Sequence, residues 1–91
     1  LQKFLSIYYH FILVIWVVKA AILITTAPGR VDDVASKVRT LRHITDVLTV
    51  AGRADVVALC EGTFEDISLV VRRVGEIDGV ETTETLVELV G

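Results

Sequence analysis

Two short stretches of this chain carry side chains that can recognise a small polar ligand. The first is Gly52-Arg53-Ala54-Asp55. A glycine there lets the backbone turn with φ > 0 and leaves N–H groups unhindered, and the Asp55 carboxylate follows at the start of an apolar run. The second is the pair Thr83 and Thr85, two hydroxyls on one side of an extended segment. An ammonium beside Asp55, with a carboxylate on N–H and hydroxyl donors, would make a zwitterion site. Arg53 offers a second positive contact. The same residues also read as ordinary architecture, because Gly-x-x-Asp is common turn chemistry and threonine is a good strand residue. Spacing alone leaves both readings open.

For catalysis the sequence is poor. His10 lies in an apolar run and His43 at a helix–strand junction, where capping the helix end is its expected work. There is no G-x-S-x-G, phosphate loop, H-E-x-x-H or C-x-x-C. Cys60 follows an apolar strand and reads as a buried, inert thiol. Asp32-Asp33 and Glu65-Asp66 fall in first turns of helices, where the dipole favours them. No catalytic residue, metal site or cofactor is expected.

The elements that position the tip follow from apolar periodicity. Val47–Ala51 and Asp55–Cys60 alternate as two strands of a hairpin, with Gly52, Arg53 and Ala54 as a three-residue loop. Ala20–Thr26 is a β-branched strand stopped by Pro28-Gly29. Arg30–Arg42 reads as a helix with Val31, Val34, Ala35, Val38 and Leu41 on one stripe. A second helix opens at Thr63, where T-x-x-D approximates a capping box. Its buried stripe is Phe64, Ile67, Val70, Val71, Val74 and Ile77. Gly75 marks fraying or close packing, and Gly79 the stop. The last strand is Val80–Val90, with Thr83, Thr85, Val87 and Leu89 on one face and Thr82, Glu84, Leu86 and Glu88 on the other.

A shift of 33 residues superposes the two helices: Val31-Asp32-Asp33-Val34 falls on Phe64-Glu65-Asp66-Ile67, Val38 on Val71 and Leu41 on Val74. Two strand–helix–strand halves predict a ferredoxin-like βαββαβ α+β fold of the dimeric α/β-barrel type. Right-handed crossovers put both helices on one face of a four-stranded antiparallel sheet of order 4-1-3-2. The other face must then be covered by a second subunit.

The bulk numbers agree. Ninety-one residues make one small domain, and 53% hydrophobic content is high for that size, so surface should be hidden in an oligomer or lipid. Net charge is −3, which gives no basic footprint for direct contact with nucleic acid. One cysteine excludes an internal disulfide and suits a reducing cytoplasm. Residues 1–18 form an apolar leader ahead of the domain at 19–91. It has three readings: a membrane anchor continuing through residues 4–26, an extension or misassigned start with the true beginning near Val18, or an extra helix packed in an oligomer.

From Lys19 to Leu89 the chain resembles the ligand-binding RAM domain of the Lrp/AsnC family of feast-or-famine transcription regulators. The resemblance rests on KAAILITTAPG, on GRAD at the hairpin tip and on IDGVETTETLVEL at the end. Gly52 and Asp55 match the family's Gly-x-x-Asp tip; Gly79-Val80, Thr83 and Thr85 match its last strand. Ala51, Asp78 and Thr82 stand where threonine, proline and arginine are usual. The resemblance implies an amino-acid effector, bound by Gly52, Arg53, Ala54, Asp55, Thr83 and Thr85. It also implies homodimers through the sheet face, often rings of dimers, and association with full-length regulators. With no room for a helix-turn-helix in the leader, the chain reads as a stand-alone RAM module. The competing reading is a small enzyme of the antibiotic-monooxygenase-like class, which shares the fold; a membrane-anchored sensor is a third. Fold alone does not choose among them.

Overall fold

The computed structural model describes residues 17–89. The apolar run 1–16 lies outside the described residues, and with it the leader's three readings. One part of the anchor reading is overturned. Residues 18–26 are the central strand of a sheet, paired on both sides, so a helical span cannot run through them.

The elements are β1 (Val18–Thr26), α1 (Val31–Val38), β2 (Ile44–Thr49), β3 (Val56–Gly62), α2 (Phe64–Gly75) and β4 (Val80–Val87). The sheet order is β2-β3-β1-β4 with every neighbour antiparallel. This is the ferredoxin-like βαββαβ fold that the repeat predicts, with the domain's first strand beginning at Val18. Ala20, Ile22 and Ile24 of β1 alternate inward against Val56, Ala58 and Cys60 of β3, and Val47 of β2 joins them. Val34, Ala35 and Val38 of α1 and Ile67, Val70 and Val74 of α2 close this core from one side. Burying each of its valines and isoleucines stabilises by roughly 1.5–3 kcal/mol.

The helices begin differently. Thr63 caps α2: its hydroxyl accepts from Asp66 N–H at 3.1 Å, and the Asp66 carboxylate accepts from Thr63 N–H at 2.9 Å. The Thr63 N–H, then the Thr63 hydroxyl, hold the Asp66 carboxyl below the usual range, with His43 and Arg42 adding to the effect. Helix α1 has no side-chain cap. There Arg30 pairs with Asp33 at 2.8 Å and with Asp78 at 3.2 Å, joining the start of α1 to the turn before β4. At Gly79 in that turn φ is +100°, and a Cβ would lie 3.1 Å from Val34 Cγ2.

Four expectations change. Helix α1 stops at Val38 rather than Arg42, because Thr40 N–H and Leu41 N–H bond to Lys37 and Val38 three residues back, and the Thr40 hydroxyl also donates to Lys37 O. Phe64 leaves the buried stripe and is 67% exposed. It sits at the first position of α2, nearly in line with half-buried Val71 on the helix's outer flank. His43 does not simply cap α1: it takes a left-handed φ of 72°, and its Nε2 lies 3.5 Å from Asp66 of α2. Strand β4 ends at Val87 rather than Val90, its last ladder bond being Glu88 N–H to Lys19 O, one residue from the start of β1.

Candidate functional site

The β2–β3 tip is closed by Val50 N–H donating to Asp55 O at 2.9 Å, so the loop is four residues, Ala51 to Ala54, one longer than expected. Gly52 has φ +127°, which glycine adopts without strain, and open space where a Cβ would stand. Ala54 is buried, while Gly52 and Arg53 are exposed.

Asp55 is tied to β1. Its N–H donates to Ile24 O at 2.9 Å. Its Oδ2 accepts from Thr26 N–H at 2.8 Å and lies 3.4 Å from the Thr26 hydroxyl. The carboxylate therefore fastens the tip to the end of the central strand, and an incoming ammonium would share an acceptor already in use.

Arg53 reaches the other way. Its Nη2 donates to Glu84 Oε2 of β4 at 2.9 Å, with the side chains 79% and 49% exposed. Glu84 lies opposite Leu23, and Thr82 opposite Thr25, whose hydroxyl meets that of Thr82. All four are on the sheet face away from the helices, since Ile22 and Ile24 point into the core. Thr83 and Thr85, by contrast, lie opposite Ile24 and Ile22 on the helix side. Asp55, one residue ahead of β3, donates its N–H to Ile24 O from one side of β1, and Thr83 lies opposite Ile24 on the other, so two strand spacings of about 4.8 Å separate them. The structure brings together the tip and β4 through Arg53 and Glu84; it does not bring Thr83 and Thr85 to the tip.

The open face is largely apolar. Ala21, Leu23, Val57, Leu59, Leu48 and Leu86 lie on it, and a groove of ≈ 440 Å³ crosses it between Leu59 and Leu86, edged by Lys19, Glu61 and Glu88. Cys60 is on the other side, in the core, where burial pushes its thiol up. Among the described residues no cluster of His, Cys, Asp and Glu is arranged to hold a metal ion, and no helix is long and apolar enough to cross a membrane.

No family model and no curated protein sequence matches the chain. Solved structures do. The crystal structure of TTHA0845 from Thermus thermophilus is 30% identical, with a TM-score of 0.75 over 81% of this chain and 95% of that one. AsnC of E. coli (18% identity, TM-score 0.73) and the Mycobacterium tuberculosis leucine response regulatory protein LrpA (20%, 0.69) share the fold over 81% of this chain. The chain shares the fold of the Lrp/AsnC regulators. It corresponds to 52% of the AsnC chain and 51% of the LrpA chain, as a RAM-like domain would.

Within this RAM-like domain the sequence reading missed Glu84, Thr25 and Thr82 as neighbours of the tip. The available signal was that Glu84 shares a strand face with Thr82. What the Lrp/AsnC pattern does not reveal is that this face meets Arg53 of the tip.

Proposed function

We propose that this chain is a non-catalytic regulatory module of Lrp/AsnC type that binds a free amino acid and transmits it through assembly. The observation that carries this reading is the apolar open face of the sheet ending at a polar tip. Leu23, Leu48, Val57, Leu59 and Leu86 lie on one surface with no helix over them among the described residues. A second copy packed there would hide them; a stable interface of this kind buries about 1,200–2,000 Å² in total. The tip residues Gly52, Arg53, Ala54 and Asp55 stand at the rim of that face, so a ligand bound at the tip can alter how copies meet. Helix-side Thr83 and Thr85 support the strand that walls the site. The relatives support an amino acid as effector: one bears the name leucine response regulatory protein. Homodimers, rings of dimers and contact with full-length regulators are the assemblies this reading entails.

Light scattering of the full chain with and without each common amino acid tests it. The expected result is a dimer or larger assembly whose mass or titration heat changes with one or a few amino acids. A monodisperse monomer at micromolar concentration, or an assembly unmoved by any amino acid at millimolar concentration, would overturn it.

A further inference from the structure

We infer that the cavity between the α1–β2 turn and helix α2 binds a small carboxylic acid with an apolar body and no amine. This is a second site, and it stands independently of the amino-acid reading of the tip. His43 immediately precedes β2 and the tip follows its far end, so the six residues of that strand, about 20 Å, separate the two. The cavity holds ≈ 490 Å³, inside the range of about 300–1,000 Å³ typical of small-ligand sites.

Its lining combines charge with hydrocarbon. Asp66, Leu69, Val70 and Arg73 come from one face of α2, at spacings of three and four residues, and Leu41, Arg42 and His43 come from the turn opposite. His43 holds a left-handed φ of 72° there, a conformation costly to a non-glycine residue and concentrated at binding sites. Arg42 and Arg73 have no acidic partner within ion-pair distance among the described residues. Asp66, the one carboxylate in the lining, is in use: its Oδ2 accepts from Thr63 N–H at 2.9 Å, and its Oδ1 faces His43 Nε2 at 3.5 Å. An ammonium would therefore meet two guanidinium groups and no free acceptor. With His43 neutral, two arginines against one aspartate leave the lining a single positive charge. A carboxylate neutralises that charge, whereas a phosphate monoester, at about −1.5 to −2, overshoots it. The guanidinium fork suits a carboxylate. Leu41, Val70 and Leu69, the last 46% exposed, give its apolar body a wall to cover.

The test is calorimetric titration of the full chain with 4-methylpentanoate and 3-phenylpropanoate, against 3-methylbutylamine and phenyl phosphate. At least one of the two carboxylates should bind, the amine should not, and phenyl phosphate should bind more weakly than that carboxylate. Arg42→Gln and Arg73→Gln should each weaken binding by about tenfold or more, the loss of one charge-assisted hydrogen bond, and keep the parent's circular dichroism. Arg72→Gln removes the same charge one residue away, about 100° round the helix and off the cavity wall; it should bind within about twofold of the parent. Four results overturn the inference: no heat from either carboxylate at millimolar concentration, binding that survives both cavity substitutions, an equal loss in Arg72→Gln, or the amine or phenyl phosphate binding as tightly as the carboxylates. None of them touches the amino-acid reading, which the assembly measurement tests by itself.

Discussion

The two halves of the molecule are built on one pattern and fastened in two ways. Thirty-three residues apart, Val34 and Ile67 fill the same position in the core, and so do Leu41 and Val74 in outline, although only Val74 is fully buried. At the helix starts the halves part. Asp33 and Asp66 are equivalent in sequence, yet Asp66 turns back to cap its own helix through Thr63, while Asp33 is taken by Arg30 and by Lys37 at 3.3 Å. The residue three positions earlier decides this: Thr63 can complete a reciprocal cap and Arg30 cannot. The repeat thus conveys packing from one half to the other, but not the chemistry of the ends. Helix α2, with its cap, runs from Phe64 to Gly75, and α1, without one, only from Val31 to Val38.

The largest expected effect tests the shared packing. Ile67→Ala should cost about 2–5 kcal/mol in urea denaturation, and Val34→Ala should cost less, since a smaller side chain is removed from an equivalent site. A greater loss at Val34 would show that the two halves do not share the core alike. A smaller effect tests the ends. Thr63→Ala should cost about 1 kcal/mol. Arg30→Ala should lower the thermal midpoint by less, because its partners are exposed; the reverse order would make the Arg30 clamp the stronger fastening.

The smallest effect is in acid. The bond from Arg30 holds the Asp33 carboxyl below its ordinary value of 3.8, as the Thr63 N–H does for Asp66. Each folded carboxyl is depressed, so its contribution is complete above the ordinary value and is lost as pH falls through the lower, folded one. Asp33→Asn and Asp66→Asn should each flatten the decline of stability below about pH 4. Molar salt should erase the difference at Asp33, which ion pairs hold, and spare it at Asp66, which an N–H holds. Equal salt sensitivity at both positions would remove the distinction between the two fastenings.

Most of the fold was legible in the sequence because it is written in local period. The β-branched run at Ala20–Thr26, the stripe at Val34, Ala35 and Val38 and the offset of 33 residues each report on neighbours a few positions away. The candidate site was legible only in part. Gly52 and Asp55 mark a tip, but Asp55 finds its partner in Thr26, 29 residues back, and Arg53 finds Glu84, 31 residues on. Such pairs follow from strand order and register, not from spacing. Parity along β4 correctly separates Thr83 and Thr85 from Thr82 and Glu84, but parity cannot say which set faces the helices; the pairing with Ile22 and Ile24 decides that. The loop at Ala51–Ala54 is one residue longer than expected because its closing bond, from Val50 to Asp55, lies outside both strands.

The single cysteine has a consequence for how the molecule meets its surroundings. The Cys60 Sγ lies 3.6 Å from Ala20 O, between the two central strands, with its thiol held protonated by burial. Oxidants and alkylating agents react with the exposed thiolate, and this sulfur offers neither exposure nor charge while β1 and β3 stay paired. The folded domain is thereby indifferent to redox poise, and its one thiol becomes a clock for the opening of its own centre.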